Sequence, residues 1–380
     1  VTGRLSRLRA RPHPLTEHIG ALLGWLLRAQ KATPDDGVSE SFHFPTQQWR
    51  PSYPETTGYI ICSLLRAAAA NYGDATVLRE AARRMGEWLV DVQMPQGAFQ
   101  GGNIAIKDPQ PAVFNTGQIL EGLTDLCHQR LDESGRLEAT ARRAARWLVE
   151  MQEADGAWRK GISALTTEPV HAYNVRAAWA LSRYGRQFGD DVALEAGIRN
   201  ADWLLSIRQD DDWFPMMNFD VGVDPLLHTI AYTIQGLLEL GVLCGRDDFV
   251  DAARGGAARV AKIQEPATGA IPGQLGPGYR PVVRWSNTTA NSQMAVIWFR
   301  LAGITGESHW LDHARRANAF NRSLHEIDSR NPGVRGAIRG SWPSHLGYGR
   351  FWYMNWTQKF FLDALLAEAT SSVRHRGSEF

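Results

Sequence analysis

One phrase recurs along the chain and constrains its fold more than any other feature. Trp147-Leu148-Val149-Glu150-Met151-Gln152 is followed by Gly156-Ala157-Trp158: a helix end, a glutamine, a glycine turn and an aromatic residue. Copies close at Gln93 before Gly97-Ala98-Phe99 and at Gln30 before Gly37, with weaker ones at Gln209 before Trp213 and at Gln264 before Gly269-Ala270-Ile271. Successive glutamines lie roughly 55 to 63 residues apart, and repetition at such a period marks an array in which one supersecondary unit packs against copies of itself. One further unit fits before the C-terminus. The chain therefore reads as six units.

Each unit reads as two helices. Residues 15 to 31 carry Ile19, Leu22, Leu23, Leu26 and Leu27 at helical spacing, and a second helix runs through Tyr59, Ile60, Leu64 and Leu65 to the small residues Ala67 to Ala70. The pattern predicts further outer helices near 75–94, 136–153, 190–208, 247–264 and 306–325. Inner helices are predicted near 113–127, 170–185, 226–243, 287–304 and 352–369. The inner set is apolar or small on more than one face, as expected between an outer ring and a central cavity. The expected fold is all-α, a closed (α/α)6 toroid of about twelve helices. A lead-in over 1–14 and a tail over 371–380 flank this single domain at 15–370.

The connections differ in length, which locates function. Returns from inner to outer helices are short, as at Tyr72-Gly73-Asp74 and Gly245-Arg246-Asp247-Asp248. Outer-to-inner connections run to about 15 to 25 residues, a length that in a compact domain is usually functional. All six converge on one end of the toroid, where the inner helices begin and their N-terminal dipoles favour an anionic group.

Composition narrows the classes. Of 380 residues 44% are hydrophobic and 21% charged, and a net charge of +1 gives no electrostatic case for nucleic acid or a membrane surface. No apolar run approaches the roughly 18 residues of a membrane span, and no charged-then-apolar segment opens the chain, so a cytoplasmic location is expected. Cys62, Cys127 and Cys244 each sit in an apolar helical stretch and read as inert thiols. No metal-ligand spacing is present, and neither a metal nor another cofactor is expected. Of the fourteen Trp residues, Trp49, Trp158 and Trp213 are among those in or beside loops, as sugar-stacking platforms or as loop anchors.

Polar residues concentrate where the inner helices begin: Glu55; Asn115 and Gln118; His171, Tyr173, Asn174 and Arg176; His228 and Tyr232; Asn291; and Tyr348, Arg350 and Tyr353 at the last one. Capping accounts for about one residue per helix. The remainder need partners or a wet cavity. His171 or His228 as base, Tyr232 as proton donor or relay, Asn115 or Asn174 holding a carboxylate and Arg176 neutralising it would equip the chain to remove the proton alpha to a uronate carboxylate. Hydrolysis would instead need paired carboxyls, for which Glu55 with Glu168, Asp220 or Asp224 are the candidates. The run Asp210-Asp211-Asp212 reads as a solvated loop.

Two resemblances follow from these residues. The Gln-x-x-x-Gly-x-Trp phrase of Gln152 to Trp158 resembles the Gln-Trp repeats of squalene and terpene cyclases. Their acid motif has no counterpart, the nearest stretches being Glu55-Thr56-Thr57 and Asp210-Asp211-Asp212. Across nearly the whole chain, the six-hairpin plan resembles that of glycan-active toroid enzymes, which include polysaccharide lyases and unsaturated glucuronyl hydrolases. That resemblance implies an enzyme acting on an acidic glycan, by β-elimination at a uronic acid or, alternatively, by hydrolysis. A uronate epimerase, a non-catalytic carbohydrate-binding scaffold and a terpene-cyclase-like enzyme are the other readings.

Overall fold

The computed structural model describes residues 13–132 and 134–374. Among the described residues are twelve α-helices in two concentric rings. The outer ring comprises α1 (Leu15–Lys31), α3 (Ala75–Asp91), α5 (Arg136–Met151), α7 (Asp191–Ser206), α9 (Asp247–Lys262) and α11 (His309–Leu324). The inner ring comprises α2 (Pro54–Ala69), α4 (Val113–His128), α6 (Val175–Phe188), α8 (Leu227–Cys244), α10 (Thr288–Thr305) and α12 (Asn355–Arg374). Inner helices pack on one another in chain order and α12 returns to α2, so the ring is closed. The expected lead-in and tail lie for the most part outside the described residues.

The two rings differ because their sequences do. In α5, Leu137, Ala141, Ala144, Ala145 and Leu148 are buried while Arg142, Arg143 and Arg146 face solvent, the one-sided stripe of an outer helix. In α8 every residue from 227 to 238 is buried. With mean hydropathy 1.3 over 18 residues, α8 is long and apolar enough to cross a membrane, yet 78% of it is buried inside the ring, which accounts for its composition.

Four of the five repeat glutamines are joints between units. Gln152 Nε2 donates to Gly156 O of its own turn at 3.0 Å and to Ala196 O on the next outer helix at 2.7 Å. Gln30, Gln93 and Gln264 bridge in the same way, to Asp36 O and Ala81 O, Gly97 O and Thr140 O, and Gly269 O and His313 O. The turn needs glycine. Gly156 has φ +92°, and a Cβ there would lie 2.3 Å from Arg199 O. In the sixth unit His325 takes the glutamine's place, its Nδ1 2.8 Å from His18 Nδ1 on α1, and the rings stack at 5.1 Å. The ring thus closes on a histidine pair.

Three expectations are corrected. The helix predicted near 170–185 begins later, because residues Ala172–Asn174 form a 3-10 turn ahead of α6. The segment Trp352–Met354, predicted to open the last inner helix, is a strand paired antiparallel with Ser41–His43, with Phe42 opposite Tyr353. Aromatic residues suit a strand, and here they meet the unpaired edge of the first long loop, stitching the two ends of the chain together. Of the cysteines, only Cys62 is buried; Cys127 and Cys244 are half-buried. All three are free, with thiols that burial pushes up.

Candidate active site

The long loops and inner-helix N-termini enclose a cavity of about 310 Å³. Its walls are aromatic: Tyr53, Tyr59, Phe114, Tyr173, Phe219, Tyr232, Tyr348 and Trp356. Carboxyl groups come from Glu40, Glu55 and Asp220, and no Lys or Arg lines it among the described residues. A cavity of about 390 Å³ at the other end of the inner helices, near Glu239 and Arg300, lacks such a set of polar groups and aromatic walls.

Glu55 stands in the first turn of α2, directly after Pro54 at a position where proline's missing N–H is harmless. Its carboxylate accepts from Asn115 Nδ2 at 2.7 Å. Burial pushes the Glu55 carboxyl up to about 7, against the nearby Tyr53 and the charge of Arg176, which hold it down. A carboxyl poised there can give or take a proton at neutral pH. Glu40 also lines the cavity, its Oε2 accepting from Asn103 Nδ2 at 2.8 Å. Asp220 ties two loops together through the Thr167 amide and hydroxyl.

His228, in the first turn of α8, has Nδ1 2.7 Å from Gln293 Oε1 and its ring against Tyr232 at 4.5 Å. Burial pushes it down to about 4, so the imidazole is neutral at pH 7. His171 stands behind the wall, stacked on Tyr173 at 4.5 Å, with Nδ1 3.1 Å from Asn218 O and Nε2 3.1 Å from Thr166 Oγ1. Burial pushes it down to about 4 as well, and both ring nitrogens hold loops rather than face the cavity.

The structure therefore brings Glu55, Asn115, Tyr173, His228, Tyr232 and Tyr348 to one cavity. It takes Arg176 and Gln118 below the floor, where Arg176 bonds Glu121 at 2.9 Å, Gln235 at 2.7 Å and Gln118 at 3.2 Å. An Arg so committed cannot clamp a carboxylate in the cavity. Asn174 is buried in the 3-10 turn, and Asn291 accepts from Ser286 Oγ at 3.2 Å inside the core. Trp158 is buried with Nε1 bonded to Leu148 O at 2.9 Å, and Trp213 is buried against Tyr279. Trp49 packs between Trp25 and Phe42, and the Tyr353 hydroxyl bonds Arg339 and Glu326. These aromatics anchor loops and do not line the cavity. Arg350 lies on the exposed surface beside Phe351. Glu168 and Asp224 line a separate cleft with Trp213. Of the acidic run, Asp212 pairs with Arg208 and Arg259, which fits a loop anchored to its neighbours.

Trp356, one of the tryptophans beside a loop, does line the cavity, and sequence reasoning missed Glu40, Tyr53, Tyr59, Phe114 and Phe219. Tyr53 and Tyr59 flank Pro54-Glu55 and could have been found with it; Glu40 carries no local signal. Among the described residues no three His, Cys, Asp or Glu side chains group as a metal site.

No protein-family model matches the chain, and neither does any curated protein. Solved structures do. An unsaturated glucuronyl hydrolase specific for heparin superposes with TM-score 0.71 at 14% identity, covering 94% of this chain and 98% of its own. A sugar epimerase from a ruminal bacterium superposes with TM-score 0.72 at 13% identity, covering 95% and 100%. A GH76 α-mannanase from Bacteroides thetaiotaomicron does so with TM-score 0.64 at 14% identity, covering 96% and 100%. The fold is the (α/α)6 toroid. At these identities the likeness extends to the fold alone, and the toroid's chemistry has to be read from its own cavity.

Proposed function

We propose that this toroid is a carbohydrate-active enzyme that hydrolyses a glycosidic bond, with Glu55 as proton donor. The observation that carries the reading is the buried Glu55 carboxyl, raised to about 7 inside an aromatic-walled cavity. A donor must be protonated when the glycosidic oxygen needs its proton, and aromatic walls suit the apolar faces of a pyranose. Glu40 and Asp220, which share the cavity, are the candidates for the second carboxyl, in the role of base or nucleophile. The hydrolase and mannanase among the similar folds support glycan cleavage as the class of reaction.

Elimination at a uronic acid is the second reading, and one observation favours it. Protonated Glu55 and Asn115 together could bind a sugar carboxylate without a cation, leaving neutral His228 and Tyr232 for the alpha proton. The absence of Arg or Lys from the described lining and the commitment of Arg176 to Glu121 weigh toward hydrolysis. An incubation with neutral and uronate-containing oligosaccharides, read for reducing ends and ultraviolet absorbance, tests both. New reducing ends without new absorbance are expected. New absorbance would mean an unsaturated uronate and elimination, and saturable binding without product would mean a scaffold.

A further inference from the structure

Hydrolysis by Glu55 leaves one buried titratable group of the cavity without a task, the imidazole of His228. Four side chains hold it in place. Its ring centre lies 4.5 Å from that of Tyr232, 5.6 Å from that of Tyr348 and 6.2 Å from that of Phe360. Its Nδ1 stands 2.7 Å from Oε1 of Gln293, a fully buried residue near the start of α10.

Burial keeps the ring neutral at pH 7, so one nitrogen carries a proton and the other a lone pair, and the neighbours decide which. A carbonyl oxygen can only accept. Nδ1 therefore bears the proton and donates it to Gln293, and Nε2 is left as an acceptor. His228 lines the cavity and Gln293 does not, so the ring edge turned to the cavity is the one opposite Nδ1, which carries Nε2. Among the described residues, the bond to Gln293 is the only hydrogen bond the imidazole makes.

Gln293 is costly where it stands. Its Nε2 is buried without a hydrogen-bond partner, and leaving a buried donor unpaired costs about 1 to 3 kcal/mol. An apolar side chain of the same length would fill the space between α8 and α10 without that penalty. What the amide supplies is its oxygen at Nδ1. The cavity in turn needs acceptors, because a pyranose carries hydroxyls that donate as well as accept. A further carboxylate there would push Glu55 higher by like charge, whereas a neutral imidazole adds no charge.

We propose that His228 Nε2 accepts a hydrogen bond from a hydroxyl of the bound sugar, and that Gln293 is a positioning residue that holds the imidazole in the tautomer with its proton on Nδ1. The inference rests on the glycan reading for its ligand; the tautomer is a property of the free protein. A site built to pair with a hydroxyl rejects a sugar that lacks it, since the buried lone pair is then left unmet, so the pair selects among hydroxyl patterns.

The tautomer is tested first, without turnover. Long-range proton–nitrogen correlation spectra at pH 7, on protein labelled with 15N at histidine, separate protonated from unprotonated ring nitrogens, and His228→Gln identifies its signals among the eleven histidines. A protonated Nδ1 and an unprotonated Nε2 are expected for His228. The reverse pattern, or an even mixture, would overturn the proposal. Gln293→Met keeps the length and removes the oxygen, and is expected to shift His228 toward a mixture of tautomers while the other histidines stay. A pure Nδ1–H form in that variant, or shifts spread over all the histidines, would overturn the positioning role. The contact with sugar is tested by titrating the labelled protein with cellobiose, mannobiose and cellobiouronate. A disaccharide that binds, seen as a change in tryptophan fluorescence, is expected to move Nε2 upfield and leave Nδ1 in place; binding without that movement would overturn the acceptor. Binding by none of the three, with no glycoside turned over, would refute the glycan reading and the sugar contact with it, while the free-protein spectra still decide the tautomer. On whichever glycoside is turned over, Gln293→Met is expected to raise KM about fivefold at unchanged kcat, the worth of about one hydrogen bond, and an unchanged KM would refute the proposal.

Discussion

Replacing Glu55 by Gln should move stability and activity in opposite directions. The folded state holds this carboxyl at about 7 rather than 4.5, because ionising it inside the cavity is unfavourable. A raised carboxyl contributes its full stability below the unfolded value near 4.5 and loses it as pH rises to 7, where the unfolded chain is ionised and the folded one is giving up its proton. A rise from 4.5 to about 7 corresponds to about 3 kcal/mol. Glu55→Gln keeps the shape and an oxygen for Asn115 without the charge. Urea unfolding at pH 8 should therefore find the variant more stable than the parent by up to about 3 kcal/mol, and at pH 4 the difference should vanish. Turnover should meanwhile fall about a hundred- to ten-thousand-fold, the usual contribution of a positioned acid. The parent's kcat/KM should decline above pH 7. A variant equally destabilised at both pH values, or one that keeps its turnover, would refute the assignment of Glu55 as a buried, functional acid.

Other expectations separate joints from chemistry. Gln152→Ala removes the bonds to Gly156 and Ala196, so chemical denaturation should show a loss of about 2 kcal/mol with kcat intact. Trp158→Ala opens a cavity in the core and should cost about 3 to 5 kcal/mol by the same measurement, with KM for oligosaccharide unchanged. At the ring closure, burial holds His18 at about 4 and His325 at about 3, below the ordinary 6.5, so the folded chain binds fewer protons than the unfolded one. This stability is complete above pH 6.5 and is lost as pH falls toward 4. His13, Glu17 and Arg322 face the same pair, and His325→Gln, which restores the repeat residue, should lower the pH midpoint of acid unfolding followed by circular dichroism.

Much of the site was legible because inner-helix starts are marked twice, by a polar cluster and by the end of a long loop. Glu55, Asn115, His228 and Tyr232 come from three helices far apart in sequence, and each was found from its place at a helix start. Arg176 shows the limit of that signal. It shares a first turn with residues of the wall, but a side chain so long can reach down the axis as readily as into the cavity, and Glu121 on α4 decides which. The loop tryptophans failed for a related reason: Trp158 and Trp213 follow repeat turns that fold their rings inward, Trp158 against α5 and Trp213 against Tyr279.

The sequence by itself determined the unit and its number. Glutamine, glycine and aromatic recur because every joint solves one local problem, how a turn meets the next outer helix, and local problems leave periodic answers. The tertiary structure alone decided that Glu55 is buried, that Arg176 turns to Glu121 rather than to the cavity, and that a histidine pair closes the circle. Those outcomes depend on residues brought together from opposite ends of the chain, and burial and charge shift a proton equilibrium only once such neighbours are in place.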